Sequence, residues 1–325
     1  MSVSLATKRE TQFAPASASS VLQFLQAVGQ VRRLVDENPS VTSFMKCRRP
    51  DSPDSGDALS HWVPLHSVSP FLLCAAVGAE DPLFFQHGGI WWGQIRIAIL
   101  RALIYRRPVR GVSTITQQLA RNLFLAPNRS LSRKICEALL ARRLETMLTK
   151  ARILELYFNV VEWGDQLWGI EAASRTYCGC APSELDSFQS IVLVSLLPAP
   201  RAPLIGRNAQ RALATQRRLA PFLYSVGLLS LVEERDMQLR ICDLAKELER
   251  GLTLTSVLSH ERHATAAARH AGTPTVEALL ANQCGWLHRL RFEGYLARAR
   301  TGLDPGVRPL WWAHMDAASA KGEGL

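Results

Sequence analysis

No apolar run near the start of this 325-residue sequence has the unbroken hydrophobic core of a signal peptide or a spanning helix, so neither anchor nor leader is visible in it. Seven cysteines, an odd number without zinc-ligand spacing, exclude a fully paired disulfide framework. Cys178-Gly179-Cys180, the one close pair, reads as small packing residues. Ser43-Phe44-Met45-Lys46 fits Ser-x-x-Lys, but the Lys-Thr-Gly and Ser-x-Asn companions of that serine nucleophile are missing, and the match is set aside. There is no internal repeat. Acids are also scarce, 28 against 38 Lys and Arg, for a net charge of +10 that favours anionic partners. Without a recognised binding motif or an aromatic-basic platform, nucleic acid is not expected among them.

Hydrophobic residues make up 47% of the chain, enough for a substantial core. Three segments are expected. Residues 1–57 comprise a Ser/Thr/Ala-rich stretch to Ser20, read as disordered, a helical period over Val21 to Val35, and a Pro/Asp/Ser/Gly-rich linker from Arg48 to Asp57. Residues 58–235 form the main domain, with helical patterns at 184–197 and 207–226. Residues 236–325 form an extension of unassigned role, with an amphipathic helix at 276–290, a basic run through Arg300 and a Gly/Ala-rich tail.

Chemistry concentrates between Ala79 and Asn122. Ser69-Pro70 signals a helix start, and PFLLCAAVGA runs on without a breaker to Pro82, placing Glu80 and Asp81 at the helix end. The negative end of the helix dipole is expected to raise their pKa, which suits a general base. From these residues alone, a solvated helix end is the reading favoured over a catalytic one. Thr114 and Gln117 have capping-box spacing, so part of this stretch serves to start a helix. Gln118, Arg121 and Asn122 are expected on the face of Thr114, opposite Ile115, Leu119 and Leu123, and a polar helix start of this kind can hold an anion.

In the next helix, Arg133 and Glu137 share a face with Leu140, Leu144 and Leu148. Charges on a core-facing stripe are costly unless paired or functional, so they are either a buried ion pair or the lining of a cleft facing Glu80. Tyr157 and Asn159 are expected to pack and cap. Between Ile90 and Arg110, Trp91, Trp92 and several Ile and Leu alternate with arginines, in the manner of a membrane-interface helix or of a buried amphipathic one.

Glu80-Asp81-x-x-Phe84-x-x-His87-x-Gly89 followed by Ser113-Thr114-Ile115-Thr116-Gln117-Gln118-Leu119-Ala120-Arg121-Asn122 resembles the first two signature motifs of glycosyltransferase family 51. Arg129-Ser130, Arg133-Lys134-x-x-Glu137, Lys150-x-x-Ile153-Leu154-Glu155-x-Tyr157-x-Asn159, Val161-Glu162-Trp163-Gly164 and Leu197-Pro198-x-Pro200 continue the agreement in order. The Glu-Trp-Gly segment and Trp62-Val63-Pro64-Leu65 look most like the monofunctional biosynthetic peptidoglycan branch.

The resemblance implies a mainly α, lysozyme-like glycosyltransferase domain with a helical C-terminal extension, polymerising lipid II into β-1,4-linked glycan and releasing undecaprenyl pyrophosphate. It assigns catalysis to Glu80 and Glu137. Substrate binding falls to Asp81, Ser113, Thr114, Gln117, Gln118, Arg121, Asn122, Arg129, Arg133 and Lys134, and structural support to Phe84, His87 and Gly89. No organic cofactor is implied; a divalent cation, Mg²⁺ or Mn²⁺, would be held partly by the pyrophosphate. Partners would be lipid II, undecaprenyl-pyrophosphate-linked glycan, the membrane surface that the Ile90–Arg110 segment would touch, and cell-wall transpeptidases. The site of action would be the periplasmic face of the bacterial inner membrane.

The sequence departs from the family pattern at Trp91, where Asp is common, at Val112 for Gly, at Arg121 for Lys, and at Cys178 and Cys180. Two other readings stay open: a lysozyme-like lytic enzyme, and a non-catalytic cell-wall scaffold derived from the enzyme.

Overall fold

The computed structural model describes residues 21–48, 59, 61–106, 113–127, 130–260 and 273–281. The expectations for residues 1–20, the 49–57 linker, Val112, Arg129, the rest of the 276–290 helix and the Arg300 run lie outside these.

The described chain is mainly α, as its periodicity requires. In order come α1 (Val21–Gln30), α2 (Ser43–Arg48), α3 (Pro70–Glu80), α4 (Trp92–Tyr105), α5 (Ile115–Phe124), α6 (Leu131–Met147) and α7 (Lys150–Val160). A two-stranded antiparallel hairpin, β1 (Glu162–Gly164) and β2 (Leu167–Trp168), precedes α8 (Ile170–Cys178), α9 (Ser187–Leu196), α10 (Gly206–Ser225), α11 (Leu231–Glu249), α12 (Leu254–His260) and α13 (Val276–Ala281).

The central element is α3, buried without interruption from Phe71 to Gly78. A helix apolar all round has to be enclosed, and α9 and α10 pack against it. Gly78 permits the approach of α10, because a Cβ there would stand 2.4 Å from the Phe222 ring. Pro70 opens α3 as expected. Ser69 holds the N-cap position, but its hydroxyl donates to Leu185 O at 2.7 Å instead of capping, so the start of α3 is tied to the loop after α8. At the other end, Asp81 has left the helical region (φ −157°, ψ 74°) ahead of Pro82, whose ring disfavours α geometry in the residue before it, and Glu80 closes the helix.

The same core continues beyond the expected domain boundaries. Val31 and Leu34 near the start and Leu258 and Leu279 near the end are buried in one cluster with α3. Arg152 of α7 secures the N-terminal segment by donating to Leu34 O at 2.9 Å, Glu37 O at 2.9 Å and Asn38 Oδ1 at 2.7 Å.

By contrast, α4 turns large apolar side chains outward: Trp92, Ile99, Leu100, Leu103 and Ile104 are all exposed, Leu103 at 72%. The buried amphipathic reading of this helix is thereby excluded. No helix among the described residues is long and apolar enough to cross a membrane.

Candidate active site

The site is assembled where the end of α3 meets α5, α7 and α10. Glu80 Oε2 accepts a hydrogen bond from Gln118 Nε2 at 2.7 Å, and Gln118 Oε1 in turn accepts from the Tyr157 hydroxyl at 3.2 Å. Tyr157 thus does more than pack, because its hydroxyl fixes which end of the Gln118 amide faces the carboxylate. Burial, reinforced by the negative charge of Glu80, pushes its own pKa well above the ordinary value and keeps it a donor.

The pKa of Glu80 is raised, and the main cause is burial rather than the helix dipole invoked from sequence. The Gln118 hydrogen bond and the positive charges of Arg218 and Arg121 oppose that rise, while Asp81 adds to it. Arg218, from α10, also donates to Ala79 O at 3.5 Å, at the carboxyl end of α3. Nothing in the local sequence marks Arg218 as a neighbour of Glu80.

Asp81 is differently employed from its neighbour. It is buried, accepts from His87 Nε2 at 2.8 and 3.0 Å, and accepts from the Ile115 N–H at 3.1 Å. Instead of facing a substrate, its carboxylate joins the end of α3 to the start of α5. Gly89 N donates to His87 Nδ1 at 3.2 Å, so the ring proton sits on Nε2, directed at Asp81. Phe84 is fully buried with its ring edge-on to His87, and Lys150 Nζ lies 4.2 Å from the Phe84 centroid while donating to His87 O at 2.7 Å. Phe84 and His87 therefore sit as loop braces, and Glu145, which accepts from both Lys150 and Thr116, is a brace that the sequence did not reveal.

Gly89 adopts φ +88°, and a Cβ there would come within 3.0 Å of both Ala141 O and the Glu145 Cγ. Left-handed geometry combined with a backbone clash gives Gly89→Ala an expected loss of about 2 kcal/mol. Its melting temperature should fall by about 5 °C, and an unchanged value would show that the loop is not constrained as described.

Thr114 and Gln117 form the capping box. Gln117 N donates to Thr114 Oγ1 at 3.1 Å, Thr114 N donates to Gln117 Oε1 at 3.0 Å, and both residues are buried. Thr114 Oγ1 also donates to Gly89 O at 2.7 Å. The N–H groups of Ile115 and Gln117 are held by Asp81 and Thr114, so these two donors at the start of α5 are already engaged within the protein. Asn122, too, turns inward, its Nδ2 donating to Gln118 O at 2.9 Å. The cations remain for an anion.

On α6, Glu137 is 1% exposed and lies between Arg133, whose Nη1 donates to Oε2 at 3.1 Å, and Lys134, whose Nζ donates to Oε1. Lys134 Nζ also donates to Ser113 Oγ at 2.7 Å, which connects the α6 cations to the residue before the α5 cap. The buried ion pair weighed from sequence is present, with a second cation added. The Nε hydrogens of Arg121 and Arg133 are buried and have no partner. A buried guanidinium N–H without an acceptor costs free energy, unless a ligand's oxygens complete it.

Among the described residues no group of three His, Cys, Asp or Glu is placed to hold a metal. Glu80, Asp81 and Glu137 are each engaged by protein donors, so this set does not fit a protein-built metal cage. Cys178 is buried and, by hydrogen bonding, lowers the pKa of Cys180. Trp91, half-buried, occupies the N-cap position of α4.

A helical domain holding a desolvated carboxylate within reach of Arg121, a cation with a buried hydrogen that lacks an acceptor, is built as an enzyme for an anionic substrate. The chain belongs to the transglycosylase family, whose model matches residues 54–221. A biosynthetic peptidoglycan transglycosylase of Chromobacterium violaceum is 40% identical over 210 residues, covering 62% of this chain and 92% of that protein. Proteins of the same description from an Azoarcus species and from Alcanivorax borkumensis are 45% identical over 169 residues and 40% over 181. These cover 50% and 56% of this chain, and 72% of each relative.

Proposed function

We propose that this peptidoglycan glycosyltransferase polymerises lipid II, with Glu80 as its base. The acceptor's 4-hydroxyl oxygen attacks the anomeric carbon of the donor, and Glu80 takes the hydroxyl proton. As the new β-1,4 bond forms with inversion, the bond from the anomeric carbon to the pyrophosphate oxygen breaks, and that oxygen keeps the electron pair. Arg121, Arg133 and Lys134 neutralise the departing pyrophosphate, and Arg129 is assigned the same role by its motif. Glu137 orients the α6 cations. The observation that carries this reading is the desolvated Glu80 carboxylate within reach of the charge of Arg121, whose buried guanidinium Nε hydrogen has no acceptor; Arg133, on α6, carries a second such hydrogen.

The exposed apolar side chains of α4, accompanied by exposed Arg96 and Arg106, support contact with the membrane interface where a lipid-linked substrate resides. Action at the periplasmic face of the inner membrane, beside the transpeptidases that cross-link the product, completes the reading.

The test is lipid II polymerisation in detergent by the purified chain, with Mg²⁺ or Mn²⁺ supplied. Glycan polymer and released undecaprenyl pyrophosphate are expected. Hydrolysis of finished peptidoglycan without polymerisation would favour a lytic enzyme, and binding without turnover would favour a scaffold.

The raised pKa of Glu80 sets a sign for the pH dependence. Only the deprotonated carboxylate accepts a proton, so kcat/KM should fall as pH drops through a value above the usual carboxylate figure of about 4.3. Gln118→Leu removes a hydrogen bond that favours the charged form and should move this acid limb to still higher pH. A limb that stays put or moves lower in the pH–rate profile would assign it to another group.

A further inference from the structure

We propose that α10 is a cationic track for the carboxylates of the peptide-substituted glycan strand, formed by Arg207, Arg211 and Arg218 and ending beside Glu80. The inference rests on the function proposed above and adds the part of the substrate that this surface meets.

The 20-residue helix contains four arginines and no acidic residue. At 100° per residue, Arg207, Arg211 and Arg218 fall within one narrow sector, while Ala212, Gln216, Leu219, Ala220 and Leu223 form the buried face. The three arginines are exposed and make no ion pair with an acidic side chain among the described residues. Like charges along one sector repel and contribute nothing to the helix, so its own stability does not explain the row. The row has a direction: at 1.5 Å per residue it extends about 16 Å, and its last member reaches Ala79 O at 3.5 Å, one residue before Glu80.

The surroundings favour a soluble polyanion over a membrane. No large apolar side chain is exposed between Gly206 and Ser225, whereas α4 exposes Trp92, Ile99, Leu100, Leu103 and Ile104. A bilayer-facing surface needs both cations and apolar anchors; α10 offers the cations alone. Peptidoglycan strands carry, on their muramic acid units, peptides with free carboxylates, which supply negative charge at regular intervals along a polymer leaving or entering the site.

The experiment is the double variant Arg207→Ser/Arg211→Ser, which leaves Arg218 and the site in place. Both positions are exposed, so its melting temperature should match the parent's. With lipid II in detergent, KM is expected to rise about fivefold, as two exposed ion pairs are lost, with kcat little changed, shorter product strands and weaker salt dependence. With lipid II whose stem carboxylates are amidated, parent and variant should become alike. Equal KM and strand length on the ordinary substrate would overturn the proposal, as would an undiminished difference on the amidated one. So would a variant that loses only its binding to anionic vesicles, since the row would then serve the membrane. Binding of a soluble carboxylated muropeptide, measured without turnover, separates the two readings. A parent that binds it through Arg207 and Arg211 but makes no polymer loses the transferase function and keeps the track.

Discussion

Glu80→Gln should lower lipid II polymerisation by about 10³-fold, in the middle of the range for loss of a general base, while leaving the protein folded. The carboxamide is nearly the same shape as the carboxylate and keeps an oxygen for the Gln118 Nε2 donor that now stands at 2.7 Å. It also removes a charge whose burial is unfavourable, as the raised pKa of Glu80 shows, so the melting temperature should stay level or rise slightly. Loss of rate without loss of stability is the signature of a group kept for chemistry rather than for the fold. A variant retaining a tenth or more of parental turnover would place the base elsewhere. Asp81 is the neighbouring carboxylate, but with both oxygens held by His87 and one also by the Ile115 N–H it is poorly placed to accept a proton from a sugar. Substitution of Asp81 should therefore cost stability as well as activity.

Glu137→Gln is expected to act through the fold first. Its carboxylate is enclosed between Arg133 and Lys134, and removing the charge leaves two cations on α6 facing each other without a counterion. Deleting one member of a buried ion pair costs about 3–5 kcal/mol. Lys134 remains partly open to water, which screens it, so a loss of about 2–4 kcal/mol is the expected figure here. Thermal melting should register this as a fall of about 5–10 °C. Added pyrophosphate should recover more stability in the variant than in the parent, because the anion takes the place of the missing charge. A melting temperature within about 1 °C of the parent, or an equal response to pyrophosphate, would separate Glu137 from any role in holding these cations.

Much of the local structure could be read directly from the chain. The unbroken apolar stretch before Pro82 predicts a buried helix ending at Glu80, and the Thr114/Gln117 spacing predicts the capping box that starts α5. Arg133 and Glu137, one turn apart, are legible as a pair because a helix makes residues four apart into neighbours. In each case the interacting groups lie within a few residues of one another, where backbone geometry alone fixes their relation.

What separates Glu80 from Asp81 is not local. Adjacent and chemically alike, they read from sequence as one acid pair raised by one helix dipole. Packing sends Asp81 inward to His87 and the first N–H of α5, and leaves Glu80 with Gln118, Tyr157 and Arg218. The partners of Glu80 come from α5, α7 and α10, and no periodicity in the sequence signals that these meet. The sequence by itself determined which residues are helical and which charges are adjacent, because those relations are set within a turn or two of backbone. Only the tertiary structure decided which carboxylate is desolvated and which cations lack acceptors, because burial depends on elements distant in the chain that exclude water together.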